Sequence, residues 1–233
     1  MSEIEARGPL SKRKKHAQQI LQRLKRHYEL TGPFIDFHNP LELVIGTVLS
    51  AQCTDVRVNI VTKKLFRKYK KPSDYAKAQL STLEKEIYST GFYKSKAKYL
   101  KGIGDLLEKK FGGKVPQTYN ELVELPGVSH KTAFLILAKA FHVFEGIAVD
   151  THVFRLSPRM GLSSSKTPEK MAKDLAELFP PQEYLNVNEY FITHGRAVCS
   201  PGIPKCGECI LRILCPASKK FLALQEQKEK KKK

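Results

Sequence analysis

Four of the five cysteines, Cys199, Cys206, Cys209 and Cys215, fall within 17 residues in the pattern C-x6-C-x2-C-x5-C. Gaps this short let one loop wrap a single centre with four thiolates, and few folds accommodate that. The start, Met1-Ser2-Glu3-Ile4-Glu5, lacks the charged and apolar regions of a secretory leader. No run approaches the roughly 18 apolar residues of a membrane span. The chain is therefore expected to be soluble and intracellular, where disulfides are disfavoured, and the clustered thiols read as a metal site. Zinc sites usually show two C-x2-C pairs separated by a longer arm. One C-x2-C with a single cysteine on each side suits a cubane iron–sulfur cluster better, although the two ligand patterns overlap. Pro201, Gly202, Pro204 and Gly207 supply tight turns around such a centre. Cys53 stands alone and reads as a small buried apolar residue.

Elsewhere the 3.6-residue period dominates, and no period-2 run extends beyond a few residues. Ile20, Leu21, Leu24 and Tyr28 mark a first helix that Gly32-Pro33 is expected to break. An apolar helix from Leu41 to Ser50 is expected to be buried over most of its circumference. Val56, Ile60, Val61, Leu65 and Tyr69 mark the next. Ser81-x-x-Glu84 predicts a capping box before Leu83–Tyr88, and Thr118-x-x-Glu121 another before a short helix stopped by Pro126-Gly127. Ala97, Leu100, Ile103 and Leu107 lie on a helix ending at Gly112-Gly113. Phe134, Leu137, Ala138 and Phe141 lie on another. Asp150 predicts an N-cap, and helices over Pro168–Phe179 and Tyr184–Thr193 complete an all-α chain of about ten helices.

The net charge is +18 over 233 residues. Residues 1–15 account for +3 and 219–233 for +5, which leaves +10 on the body. The basic ends read as solvated, disordered tails at about 1–14 and 220–233. A body that is itself so basic suits a polyanion, nucleic acid above all, though charge carries no information about sequence or reaction.

Leu122–Phe141 reads as helix, Leu125-Pro126-Gly127-Val128-Ser129, helix. Such a turn exposes backbone N–H groups at the start of the second helix, which binds phosphate without base contacts; a plain helical hairpin has the same look. Lys131 follows in the first turn of that helix. It lies roughly 60° from Phe134 at 100° per residue, so it is expected at the edge of the apolar stripe and partly buried. That setting favours the neutral amine a lysine nucleophile needs, but read alone the segment better suits a surface or phosphate-contacting lysine. Asp150 after Ile147-Ala148-Val149 reads as a cap, or as a carboxylate facing a developing cation or taking a proton. His152 reads as structural rather than catalytic, since nothing local supplies it with a partner.

Taken together, Leu125–Ala133, Val149-Asp150-Thr151-His152, His194-Gly195-Arg196, the four-cysteine loop and Ser50-Ala51-Gln52-Cys53-Thr54-Asp55 resemble the endonuclease III family of helix–hairpin–helix DNA glycosylases, in order from about residue 15 to 218. The resemblance implies two helical domains with a DNA cleft between them. A six-helix barrel with the hairpin would cover 33–143, and an iron–sulfur cluster domain would combine 1–32 with 144–233. It implies Lys131 as nucleophile, Asp150 as its carboxylate, and a [4Fe–4S] cluster on Cys199, Cys206, Cys209 and Cys215 with a structural, DNA-positioning role. Gln52 would fill the gap left by an extruded base. Asp55, Gly127, Ser129, His130, Thr132, Thr151 and His152 would contact DNA. Ser129 stands where the family hairpin usually carries a second glycine and His130 where it usually carries Arg, which implies weaker hairpin binding.

The implied activity is that of a DNA glycosylase and abasic-site lyase of base excision repair. It would act as a monomer on double-stranded DNA holding damaged bases, oxidised pyrimidines first, or abasic sites. No membrane is involved, and a bacterial or archaeal source would place it in the cytoplasm at the nucleoid. A mismatch or pyrimidine-dimer glycosylase of the same superfamily, and a non-catalytic metal-stapled DNA-binding protein, are the alternatives.

Overall fold

The computed structural model describes residues 9–30 and 34–230. Among these there are twelve α-helices and no strand, and no helix is long and apolar enough to cross a membrane. The expected break at Gly32-Pro33 lies outside the described residues, as do residues 1–8 and 231–233. The described chain divides into two compact units, one over 34–143 and one combining 9–30 with 144–230.

The first unit holds α2 (Pro40–Leu49), α3 (Asp55–Lys68), α4 (Pro72–Lys77), α5 (Leu80–Ile87), α6 (Tyr93–Lys110), α7 (Tyr119–Leu122) and α8 (His130–Phe141). Apolar residues cover nearly the whole of α2, and Leu41 and Leu43 through Leu49 are buried. Its start is fixed on both sides: Asn39 Oδ1 accepts from Glu42 N at 3.0 Å, and Glu42 Oε2 accepts from His38 N at 2.7 Å. Around it Val58, Leu83, Ile87, Leu100, Ile103, Leu107 and Ile136 are fully buried.

Two expectations fail here. Ser81 is not a cap, because α5 begins at Leu80 and the carbonyl of Gln79 takes the first helical bonds; burial of Leu83 and Ile87 set the register instead. Helix α4 was not expected: six residues are too few for a visible period, and its start is held by Asp74, whose Oδ2 accepts from Lys70 N and Lys71 N at 2.8 and 2.9 Å.

The second unit holds α1 (Leu10–His27), α9 (Thr151–Arg159), α10 (Pro168–Ala176), α11 (Tyr184–Ala197) and α12 (Ser218–Lys230). Ala17, Ile20, Leu21 and Leu24 of α1 join Val153, Leu156, Met171, Leu175, Val187 and Phe191 in one core. The disordered tails are contradicted wherever they are described, since residues 10–14 belong to α1 and 220–230 to α12. Their charges occupy the exposed faces of helices anchored otherwise: Phe221 lies beneath the Arg159 guanidinium at 4.6 Å, and Ser218 is buried.

Candidate nucleic-acid and metal sites

In the first unit, the turn between α7 and α8 is built around Gly127. Its φ is +79°, a region L side chains rarely adopt, and a Cβ there would lie 2.8 Å from the Tyr99 ring. Glycine is therefore required twice over. Val128 N then bonds to Leu125 O at 3.0 Å, and Ser129 caps α8 by accepting from Thr132 N at 3.3 Å. Ser129 also shares a 3.0 Å hydroxyl contact with Thr132. Its φ of −85° is ordinary for any residue, so serine builds this turn without strain. The His130 ring stacks on Tyr119, which stacks in turn on Phe134.

Lys131, the second residue of α8, is exposed. The partial burial expected of it does not occur. The stripe of α8 centres on Ala133, Ile136 and Leu137, and Lys131 lies roughly 160° from Ala133 at 100° per residue; Phe134, used as the reference, sits at the stripe's edge. The amine thus stands in the open at the positive end of a helix dipole.

The turn from α2 to α3 carries Gln52, exposed and in the left-handed region at φ 53°. Asp55 is the first residue of α3, behind the Thr54 cap. Cys53 is half-buried and packs against the core of its unit.

In the second unit, Asp150 caps α9. Its Oδ1 accepts from His152 N at 2.9 Å and from Val153 N at 2.8 Å, and Oδ2 takes no hydrogen bond among the described residues. Capping therefore uses one oxygen and leaves the other, so structural and chemical roles for this carboxylate are compatible. Thr151 is exposed. His152 Nδ1 lies 3.1 Å from Arg155 Nη2, and both approach Gly195 so closely that a Cβ there would sit 2.4 Å from His152 Nδ1. This explains the glycine of His194-Gly195-Arg196.

Cys199, Cys206, Cys209 and Cys215 line one cavity with Arg159, Met160, His194, Leu211 and Phe221. Arg159 Nη1 donates to Cys199 Sγ at 3.3 Å and to Ser200 O at 2.9 Å, and Cys215 Sγ donates to Arg159 O at 3.1 Å. His194 Nε2 lies 3.6 Å from Cys209 Sγ, while its Nδ1 meets Tyr28 OH at 2.9 Å. Arg155 Nε donates to Cys199 O at 3.1 Å. Burial pushes the Cys206 thiol up to about 11 and Cys215 up to about 12, and the neighbouring cysteines add to both. Thiols held up in this way are donors that only a strongly cationic centre would ionise. Among the described residues, no three His, Cys, Asp or Glu side chains converge closely enough for one ion; the thiols are spread around the cavity wall.

Sequence reasoning missed Arg155, Arg159 and Tyr28, because nothing local to them signals the loop they serve.

Residues 45–181 match the HhH-GPD superfamily base excision DNA repair protein model. The chain is 43% identical to endonuclease III of Synechocystis sp., over 90% of this chain and 95% of that one. Its fold is similar to that of an endonuclease III in a non-covalent DNA complex, with a TM-score of 0.85 and 38% identity, over 90% of this chain and 98% of that one. A trapped endonuclease III–DNA covalent intermediate matches with a TM-score of 0.84 at the same identity and coverage. The chain belongs to the HhH-GPD superfamily of base excision DNA repair proteins.

Proposed function

We propose that this chain is a bifunctional DNA glycosylase and abasic-site lyase that removes damaged pyrimidines, oxidised ones above all, and cuts 3′ to the abasic site. The observation that carries the reading is Lys131, an exposed amine in the first turn of α8 directly after the Gly127 turn, in a chain whose relatives include one trapped covalently on DNA.

The damaged nucleotide must leave the stack before its glycosidic bond is reachable. Gln52, projecting from its left-handed turn, fills the space vacated, with Asp55 beside it on α3. The amides around Gly127, Ser129 and His130, with Thr132, hold the backbone phosphate at the N-terminus of α8. Asp150 offers its uncapped oxygen to the cationic sugar and takes the proton of the Lys131 ammonium; Thr151 and His152 flank it on α9. The neutral amine attacks C1′, the C1′–N bond breaks, and the base leaves with the bonding pair. The sugar ring then opens: the C1′–O4′ bond breaks, O4′ takes a proton, and the protonated imine left between C1′ and Lys131 acidifies the C2′ proton. Loss of that proton expels the 3′ oxygen by β-elimination, and water hydrolyses the imine to free Lys131.

Cys199, Cys206, Cys209 and Cys215 hold a [4Fe–4S] cluster in this reading. One C-x2-C with a single cysteine on each side, and all four thiols on one cavity wall, favour a polynuclear group over a single zinc ion. When bound, the group supplies cross-linking of the loop and no chemistry on DNA. Arg155 and Arg159 bind this loop to α9, whose N-cap is Asp150.

Borohydride trapping on an abasic duplex tests the assignment. The parent protein forms a covalent adduct; Lys131→Gln forms none, yet still binds a reduced abasic analogue. Trapping by Lys131→Gln would move the nucleophile to another amine. A parent protein that binds damaged duplex but neither traps nor cuts would be a metal-stapled binding protein.

A further inference from the structure

Lys96, in the first turn of α6, keeps its ammonium inside the barrel unit, with 3% of the residue exposed. Nζ donates to Leu49 O at 2.7 Å and to Thr90 O at 2.8 Å. Burial draws the ammonium below the usual lysine range, with Cys53 acting in the opposite direction. The two acceptors have a special position. Leu49 is the last residue of α2, and Thr90 is the last of the 3-10 turn Tyr88–Thr90. Carbonyls at such ends lack helical donors and carry the negative end of the dipole, so one buried cation satisfies both.

Beyond each of these ends the backbone does something costly. Three residues after Leu49 it passes through Gln52 at φ 53°, and two residues after Thr90 through Phe92 at φ 49°. Neither is glycine. Gln52 is exposed, and Phe92 is 64% exposed, so neither strained turn is held by burial of its own side chain. Backbone of this kind persists where its surroundings over-determine it, and Lys96 grips the chain just before both turns.

We infer that Lys96 is a positioning residue for the opening of the duplex. By binding the ends of α2 and of the Tyr88–Thr90 turn with one ammonium, it holds the Gln52 and Phe92 turns in a single frame. Gln52 then meets DNA in a fixed attitude. Lys96 touches no substrate and acts through the turns. The inference rests on Gln52 being the side chain that fills the vacated space.

The test uses a duplex with 2-aminopurine beside an abasic analogue, whose fluorescence rises when neighbouring bases unstack and needs no strand cleavage. Parent, Lys96→Met, Gln52→Ala and the double variant are compared at saturating protein, with circular dichroism and thermal melts confirming the fold. Lys96→Met is expected to lose most of the fluorescence rise. On an abasic duplex its kcat/KM falls by roughly tenfold or more, while on the same strand alone, which needs no opening, it falls far less. The double variant loses no more than Gln52→Ala alone, the signature of two residues acting through one element. If Lys96→Met does not fold, Lys96→Gln, which retains N–H donors, decides by the same readouts. Equal losses on duplex and single strand, a full fluorescence rise, or additive losses in the double variant would overturn the inference. A parent protein that unstacks the duplex but cuts neither substrate would sink the proposed enzymatic function, and the fluorescence comparison would still decide the role of Lys96.

Discussion

Inside the 34–143 unit the packing is mainly aliphatic, with Ile45, Leu49, Leu100, Ile103 and Leu107 all buried to within 1% and the buried Tyr69 and Tyr75 rings stacked on each other. The unit built from 9–30 and 144–230 has a comparable core around Ile20, Leu24, Leu156 and Phe191, but one side of it ends at a cavity walled by four thiols, Arg159 and His194. Burial stabilises the first, and its buried ammonium, Lys96, is satisfied by two carbonyls of the same unit. In the second, burial works against the wall, because it disfavours the ionised thiols a metal centre needs. The first unit satisfies its buried cation from its own chain, whereas the second presents a wall of thiols that suits the group proposed for it. The residues proposed for chemistry are divided in the same way, with Lys131 on a helix of the first unit and Asp150 capping a helix of the second.

The largest effect should come from the cysteines. Structural metal sites contribute on the order of 10 kcal/mol to small folds. Cys206→Ala should remove iron and labile sulfide and abolish hydrogen-exchange protection in α9–α11, with α2 and α6 still protected. Equal loss in both units would erase the contrast. Next, Asp150→Asn should slow base release by about 10²–10⁴-fold, the usual worth of a positioned acid–base group. Its melting temperature should hardly move, since asparagine caps a helix about as well as aspartate. A variant that melts early would return Asp150 to a purely structural role.

Ile103→Ala should cost about 2–5 kcal/mol in denaturant melts, as deletions from a tight core do, and should lower protection in the barrel unit while leaving iron content unchanged. The smallest effect is expected at Gly127→Ala, at about 1–2 kcal/mol for the left-handed turn plus displacement of Tyr99. It should weaken binding to undamaged and damaged duplex alike, because in the proposed function this turn meets phosphate and not the base. A selective loss on damaged duplex would assign the turn a part in recognition.

Much of the site was legible because its signals are local. The Gly127 turn, the Ser129 and Asp150 positions and the four-cysteine spacing are short-range features, and each folds as its own few residues dictate. Lys131 was legible as to place but not exposure, since a stripe centred on Phe134 is indistinguishable in one dimension from one centred on Ala133 and Leu137. Helix α12 was obscured by its lysines, although Phe221 and Leu222 lie among them.

The sequence by itself determined the all-α character, the turn that starts α8 and the gathering of four thiols on one loop, because backbone propensity and ligand spacing act over a few residues. Only the tertiary structure decided where the buried Lys96 and the half-buried Arg155 and Arg159 go. Lys96 reaches Leu49 across 47 residues, Arg155 reaches Cys199 across 44 and Arg159 reaches Ser200 across 41. A carbonyl exists at every position, so nothing in the sequence of a lysine or arginine says which one it will satisfy. That choice is made when packing brings one unpaired helix end or loop oxygen within its reach and excludes water from it.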